Sequence, residues 1–130
     1  MLNSRLNGRI KKLAYDVIGA AIEVHREIGP GFLESVYEEA LCVELKLRDI
    51  RYSRQHVIGV AYKGQQVGEN RLDILVEDCL IIELKAIEQF APVHTAQVIS
   101  YLKAIQLELG LLINFNVPVL KQGIRRIVLN

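Results

Sequence analysis

The 130 residues predict an α/β (α+β) fold, with one mixed central β-sheet flanked by helices. Three features of the pattern carry that prediction. Apolar residues recur at helical spacing over residues 10–27, 32–47 and 92–108. Between the second and third stretches the apolar period shortens to that of strands, three in succession with short links. After the third helix, Gly110 opens a near-continuous apolar run, Leu111-Leu112-Ile113-Asn114-Phe115, which suits a strand covered on both faces.

The first helix sets Ile10, Leu13, Val17, Ala20 or Ala21, and Val24 on one stripe, and Gly29-Pro30-Gly31 stops it. The second, from about Phe32 to Leu47, has its apolar positions at Leu33, Val36, Tyr37, Ala40, Leu41, Val43 and Leu47, with Glu38, Glu39, Glu44 and Lys46 on wetter faces. Its early acids suit the positive end of a helix dipole. Val57 to Tyr62 reads as a strand. Lys63-Gly64-Gln65-Gln66 is a hairpin turn in which Gly64 supplies the backbone freedom. Arg71 to Val76 is the second strand, Glu77-Asp78 lies in the turn, and Cys79 to Ala86 is the third strand. Strands joined this closely pair antiparallel. Pro92 suits the first turn of the third helix, where its missing N–H costs nothing. Val98, Leu102, Ile105 and Leu109 form that helix's stripe. The helix returns the chain to the sheet, so the next strand should pair in parallel through a right-handed crossover. Ile124 to Leu129 is the last strand.

At 14.7 kDa, 51% apolar and mean hydropathy +0.21, the chain can bury a core and is not a disordered sequence. It reads as one domain, 1–130, with residues 1–9 expected as a flexible basic segment ahead of the core. No apolar run reaches the roughly 20 residues of a membrane span. No apolar stretch follows the basic start, so no secretory leader is expected. Cys42 and Cys79 sit in apolar contexts that suit reduced thiols, and a cytosolic setting is expected. The net charge of +1 is unevenly spread. Arg5, Arg9, Lys11 and Lys12 precede the first acid, and Lys121, Arg125 and Arg126 follow the last. These ends are candidates for contact with nucleic-acid phosphates, although the overall balance says little by itself.

The chemistry concentrates between Asp73 and Lys85. Asp73 interrupts an apolar strand, and Glu83 and Lys85, two apart, share one face of the next. The other face, Leu80, Ile82, Leu84 and Ala86, is core. Charges in a covered strand are expensive unless paired or bound to a metal. Metal-assisted phosphodiester hydrolysis needs such a set: carboxylates for a hard divalent cation such as Mg²⁺, and a lysine to orient water or stabilise negative charge. The alternative is a solvated strand face with ordinary surface residues. A strict two-residue turn at Glu77-Asp78 would put Asp73 opposite Ile82, on the wrong face. A three-residue loop including Cys79, or a bulge, brings it opposite Glu83. Glu34 shares a helix face with Tyr37 and Leu41 and is a candidate third carboxylate, or simply an acid paired with the dipole. Gln97 and Tyr101, four apart beside the apolar stripe of the third helix, could support a carboxylate, a phosphate or the lysine, or be structural hydrogen-bonding groups. His25 reads as a packing or capping histidine, and Asn114 and Asn116 as turn formers or substrate-facing groups.

Gly31-Phe32-Leu33-Glu34-Ser35-Val36-Tyr37 resembles the signature of the GxxExxY proteins. The likeness extends over Glu23 to Pro30, Tyr37 to Leu41, Asp73 to Val76, Ile82 to Lys85, Gln97 to Leu102 and Leu111 to Phe115. That family resembles the PD-(D/E)XK nucleases, which include Holliday-junction resolvases and RecB-like exonucleases. The resemblance implies a restriction-endonuclease-like core. Asp73 would be the first motif aspartate, Glu83 and Lys85 the E-x-K pair, Glu34 the helix glutamate, and Gln97 and Tyr101 the Q-x-x-x-Y pair of the RecB-like branch. Arg71-Leu72 stands where the name motif carries a proline, which is often absent.

The expected function is hydrolysis of DNA phosphodiester bonds with Mg²⁺ or Mn²⁺. Asp73, Glu83 and the Leu84 carbonyl would hold the metal, and Glu34 would bind directly or through water. Lys85 would position the attacking water, and Gln97 and Tyr101 would support the site. No organic cofactor is expected. A domain this small suggests a homodimer on DNA. The runner-up is a non-catalytic nucleic-acid- or protein-binding module on a nuclease fold. A two-carboxylate glycosidase leaves Lys85 idle and lacks an aromatic platform, with no Trp and 6% aromatics.

Overall fold

The computed structural model describes residues 8–129, so Arg5 lies outside the described residues. Helix α1 (Gly8–Ile28) and helix α2 (Glu34–Leu47) come first. Strands β1 (Tyr52–Tyr62), β2 (Gln65–Val76) and β3 (Leu80–Lys85) follow, then helix α3 (Pro92–Ile105) and strand β4 (Leu109–Asn114). A 3₁₀ turn (Leu120–Gly123) leads into β5 (Ile124–Val128). The five strands lie in the order β1-β2-β3-β4-β5, antiparallel except for the parallel β3–β4 pair. This is the mixed sheet that the sequence predicts, with α3 as the crossover.

Helices cover both faces. On one, Ala14, Val17, Ala20 and Ala21 of α1 and Tyr37, Leu41 and Leu45 of α2 pack on Ile74, Val76, Leu80, Ile82, Leu84, Leu111 and Ile113. On the other, Val98, Tyr101 and Leu102 of α3 pack on Leu72, Leu75, Ile81, Leu112 and Ile127. Each fully buried aliphatic side chain contributes roughly 1.5–3 kcal/mol, and β3 alone buries Leu80, Ile81, Ile82 and Leu84. That density of apolar burial offsets the cost of enclosing Glu83 in the same strand.

Several boundaries differ from the sequence reading. Helix α2 starts at Glu34, because Gly31 sits at φ 108° and holds the chain out of the helix until Leu33. Helix α3 stops at Ile105, where Gln106 turns left-handed at φ 58°. Strands β1 and β2 are longer than the apolar pattern shows. They form an arm whose residues 59–71 are exposed throughout, so no burial constrains their composition. Its tip is the turn at Lys63-Gly64, where both residues have positive φ. Among the described residues no helix is long and apolar enough to cross a membrane.

Candidate active site

The turn between β2 and β3 decides the register. Glu77 and Asp78 both take left-handed conformations, at φ 51° and 56°, and Cys79 N–H closes the turn on Val76 O at 3.0 Å. Val76 pairs with Leu80 and Ile74 with Ile82, leaving Glu77, Asp78 and Cys79 as a three-residue loop. Continued by one residue, that register sets Asp73 opposite Glu83. Regular pairing ends there, and side chains take over the backbone partners. Glu83 Oε1 accepts the Asp73 N–H at 2.8 Å, and Asp73 Oδ2 accepts the Leu84 N–H at 2.8 Å. Opposite Asp73 on its other side, Gln55 of β1 is left-handed at φ 51°. Leu72 packs toward α3 while Ile74 packs toward α1 and α2, so the pleat is broken at Asp73.

Two carboxyls therefore face each other inside the protein. Glu83 is 3% exposed, and burial, then the Asp73 charge, push its pKa up to about 8. Asp73 is half-buried. Burial raises its pKa most, the Leu84 N–H opposes, and the charges of Glu38 and Glu34 add to the rise. Lys85, half-buried on the same side of β3, lowers both. Its Nζ donates to Gln97 Oε1 at 3.3 Å, and Gln97 also hydrogen-bonds Tyr101. Tyr101 is buried, and its hydroxyl pKa is raised by burial and then by the Glu83 charge. Helix α3 thus presents Gln97 and Tyr101 one turn apart, to Lys85 and Glu83 respectively.

Glu34 occupies the exposed first turn of α2 and does not pack inward with Tyr37 and Leu41. Its charge nevertheless registers at both Asp73 and Glu83. Glu38, one turn further on, acts on Asp73 more strongly and was not singled out in the sequence. Its position four residues after Glu34 was the available signal. Arg54 of β1 pairs with Glu38 at 3.0 Å and with Glu39, and Gln55 Nε2 donates to Glu38 at 3.0 Å. Asn114 is structural: buried, it accepts Ile87 N–H at 3.0 Å and donates to Ile87 O at 2.8 Å, clamping the segment after β3. His25 is buried with Nε2 at 2.8 Å from Val117 O.

The basic candidates divide between the two ends of the sheet. Arg9 pairs with Glu77 at 3.6 Å and Lys12 with Asp16 at 3.1 Å, near the turn that begins β3. Lys85 ends that strand, about 17 Å from its first residue at roughly 3.3 Å per step. Lys11 and Lys121 are exposed. Arg125 stands in the Glu83 row of the sheet, beyond Leu112, roughly 10 Å from Glu83 by strand spacing. Its guanidinium lies 5.0 Å from the centre of the Phe90 ring. Arg126, next in β5, is exposed. A groove of about 470 Å³ between the β1–β2 arm and α3, lined by Ile58, Asn70, Ser100 and Lys103, reaches Tyr101. A cavity of about 540 Å³ near Arg51, Tyr52 and Glu77 shares no residue with this cluster.

As a cation site the cluster offers hard oxygen donors and an unfavourable like-charge pair that a divalent ion would relieve. The N–H and C=O of one strand residue leave on the same side, so the Leu84 carbonyl faces Asp73 as its N–H does. Among the described residues, no group of three or more His, Cys, Asp or Glu side chains is already drawn together around a metal position. The fit therefore rests on Asp73 and Glu83 with a backbone oxygen. Neither curated proteins nor solved structures provide a match. A family model does, over residues 11–127, and its span takes in α2, the Asp73–Lys85 hairpin and the Gln97–Tyr101 turn of α3. By that match over nearly its whole length, the chain belongs to the PD-(D/E)XK nuclease superfamily.

Proposed function

We propose that this protein hydrolyses DNA phosphodiester bonds with the help of Mg²⁺ or Mn²⁺. The observation that carries the reading is the pairing of half-buried Asp73 with buried Glu83, each tied by one oxygen to the opposing strand, with Lys85 held beside them by Gln97. Those backbone bonds fix the two carboxylates, so little reorganisation accompanies binding. Asp73, Glu83 and the Leu84 carbonyl are the proposed ligands, with Glu34 contributing directly or through water. A divalent cation bound there would polarise the scissile phosphate and the attacking water. Lys85 orients that water and offsets the charge that develops on the phosphate. Gln97 fixes the lysine ammonium, and Tyr101, one turn on in α3, closes the site on the Glu83 side. The groove beside Tyr101 gives a DNA strand a path to these groups, and Arg125 suits a phosphate contact on the other side. A homodimer would enlarge the footprint on DNA.

The test pairs metal binding with cleavage. Wild-type protein is expected to bind Mn²⁺ by calorimetry and to cut at least one of single-stranded, duplex, flap or four-way DNA, while Asp73→Ala loses both. Equal cutting by Asp73→Ala would reject this site. The second reading, a non-catalytic binding module, is favoured by the exposure of Glu34 and by the absence of a drawn-together metal cluster among the described residues. It predicts DNA or protein binding with neither metal uptake nor cleavage.

A further inference from the structure

We propose that Tyr37 is a positioning residue that sets Glu34 relative to Glu83 and Lys85. This rests on the reading of that cluster as a metal site. Two separate functions meet in one side chain. The hydroxyl holds the loop ahead of α2, donating to Gly29 O at 2.6 Å and accepting from Phe32 N at 3.2 Å. That loop needs two left-handed glycines, Gly29 at φ 70° and Gly31 at φ 108°, so its shape is not maintained by backbone preference alone. The ring is fully buried and stacks on Phe115, with centroids 4.4 Å apart and planes 10° from parallel. Phe115 N–H is in turn bonded to the Lys85 carbonyl at 2.9 Å.

The tyrosine thus spans the interval between the segment that delivers Glu34 and the strand end that carries Lys85. Glu34 makes no inward packing contact of its own to place it, being exposed in the first turn of α2. The ring determines where α2 sits on the sheet, and the hydroxyl determines where the helix begins. Phenylalanine at position 37 keeps the stacking and removes only the second of these, so the two contributions separate.

The experiment measures Mn²⁺ binding by calorimetry, with thermal melting as the check on fold. Tyr37→Phe is expected to weaken Mn²⁺ affinity by about tenfold, the range seen when a support behind a metal ligand is removed. In a Glu34→Gln background it should cost nothing further, because the residue it positions is already disabled. Gly31→Ala perturbs the same loop without touching Tyr37, since no atom lies within 4 Å of the added Cβ and only the backbone is strained. It should show the same Glu34-dependent loss and keeps the test open should Tyr37→Phe not fold. Unchanged Mn²⁺ affinity in both variants, or an equal loss with Glu34 already replaced, overturns the positioning role while leaving the metal site standing. No Mn²⁺ binding by wild-type protein overturns the metal site and this inference with it.

Discussion

Glu83 carries the largest electrostatic burden among the described residues of the site. Its carboxyl ionises near 4.5 in an ordinary setting and at about 8 in the folded protein. The folded value is the higher, so the protonated acid favours folding. That contribution is complete below about 4.5 and disappears as pH rises to about 8. Asp73, also raised by burial, acts in the same direction. Metal-free protein should therefore melt at steadily lower temperature from about pH 5 to about pH 8, and Glu83→Gln should flatten the slope. A variant with an undiminished slope would place the burden elsewhere. Mg²⁺ should raise the melting temperature more at the alkaline end than at the acid end. Lys85 is expected to divide binding from chemistry. Lys85→Met should keep Mn²⁺ affinity within about twofold while cleavage falls by a factor on the order of 10² or more, as for loss of a group acting on the reacting water. A matching loss of both would make the lysine a support for the ligands instead.

The placement of Gln97 depends on how closely α3 lies against the sheet, and Gly110 of β4 permits that approach. A Cβ at Gly110 would meet Val98 Cγ1 at 2.7 Å. Gly110→Ala should cost about 1–3 kcal/mol by overpacking, measured by chemical denaturation. Val98→Ala in the same chain should recover part of that loss, and simple additivity of the two changes would mean that they do not meet. The β2–β3 turn was legible in part. The spacing from Asp73 to Glu83 narrowed it to a three-residue loop or a bulge, but two consecutive non-glycine residues at positive φ cannot be read from Glu77-Asp78 alone. They are held by tertiary partners: the Glu77 carboxylate accepts from Arg51 N–H at 3.1 Å and from its guanidinium at 2.9 Å. Helix α3 was read too long because Gln106 gives no local stop signal. Its left-handed turn lets Leu107 N–H reach Leu102 O at 3.0 Å.

Across the whole molecule, burial is graded from the sheet centre to the arm. Strands β3 and β4 are enclosed by helices on both faces, whereas residues 59–71 of the arm have neither face covered. A two-stranded ribbon without a packed face is marginal in water. Amide exchange should therefore open the arm many-fold faster than β3 and β4, and equal protection would indicate that something covers it. The sequence by itself determined the element order, the mixed sheet, and the face on which Glu83 and Lys85 stand, because apolar period and chain connectivity are local and near-local properties. It also singled out Asp73 as a charge interrupting an apolar strand, Glu34 as an acid sharing a helix face with Tyr37 and Leu41, and Gln97 and Tyr101 as polar groups beside an apolar stripe. The tertiary structure alone decided that each strand's carboxylate would take an amide of the other, that Glu38 would act on Asp73, and that Tyr37 would join the Glu34 loop to Phe115. Those relations join residues 10 to 78 positions apart, and hydrogen-bond geometry at such separations is set by packing, which no local pattern encodes.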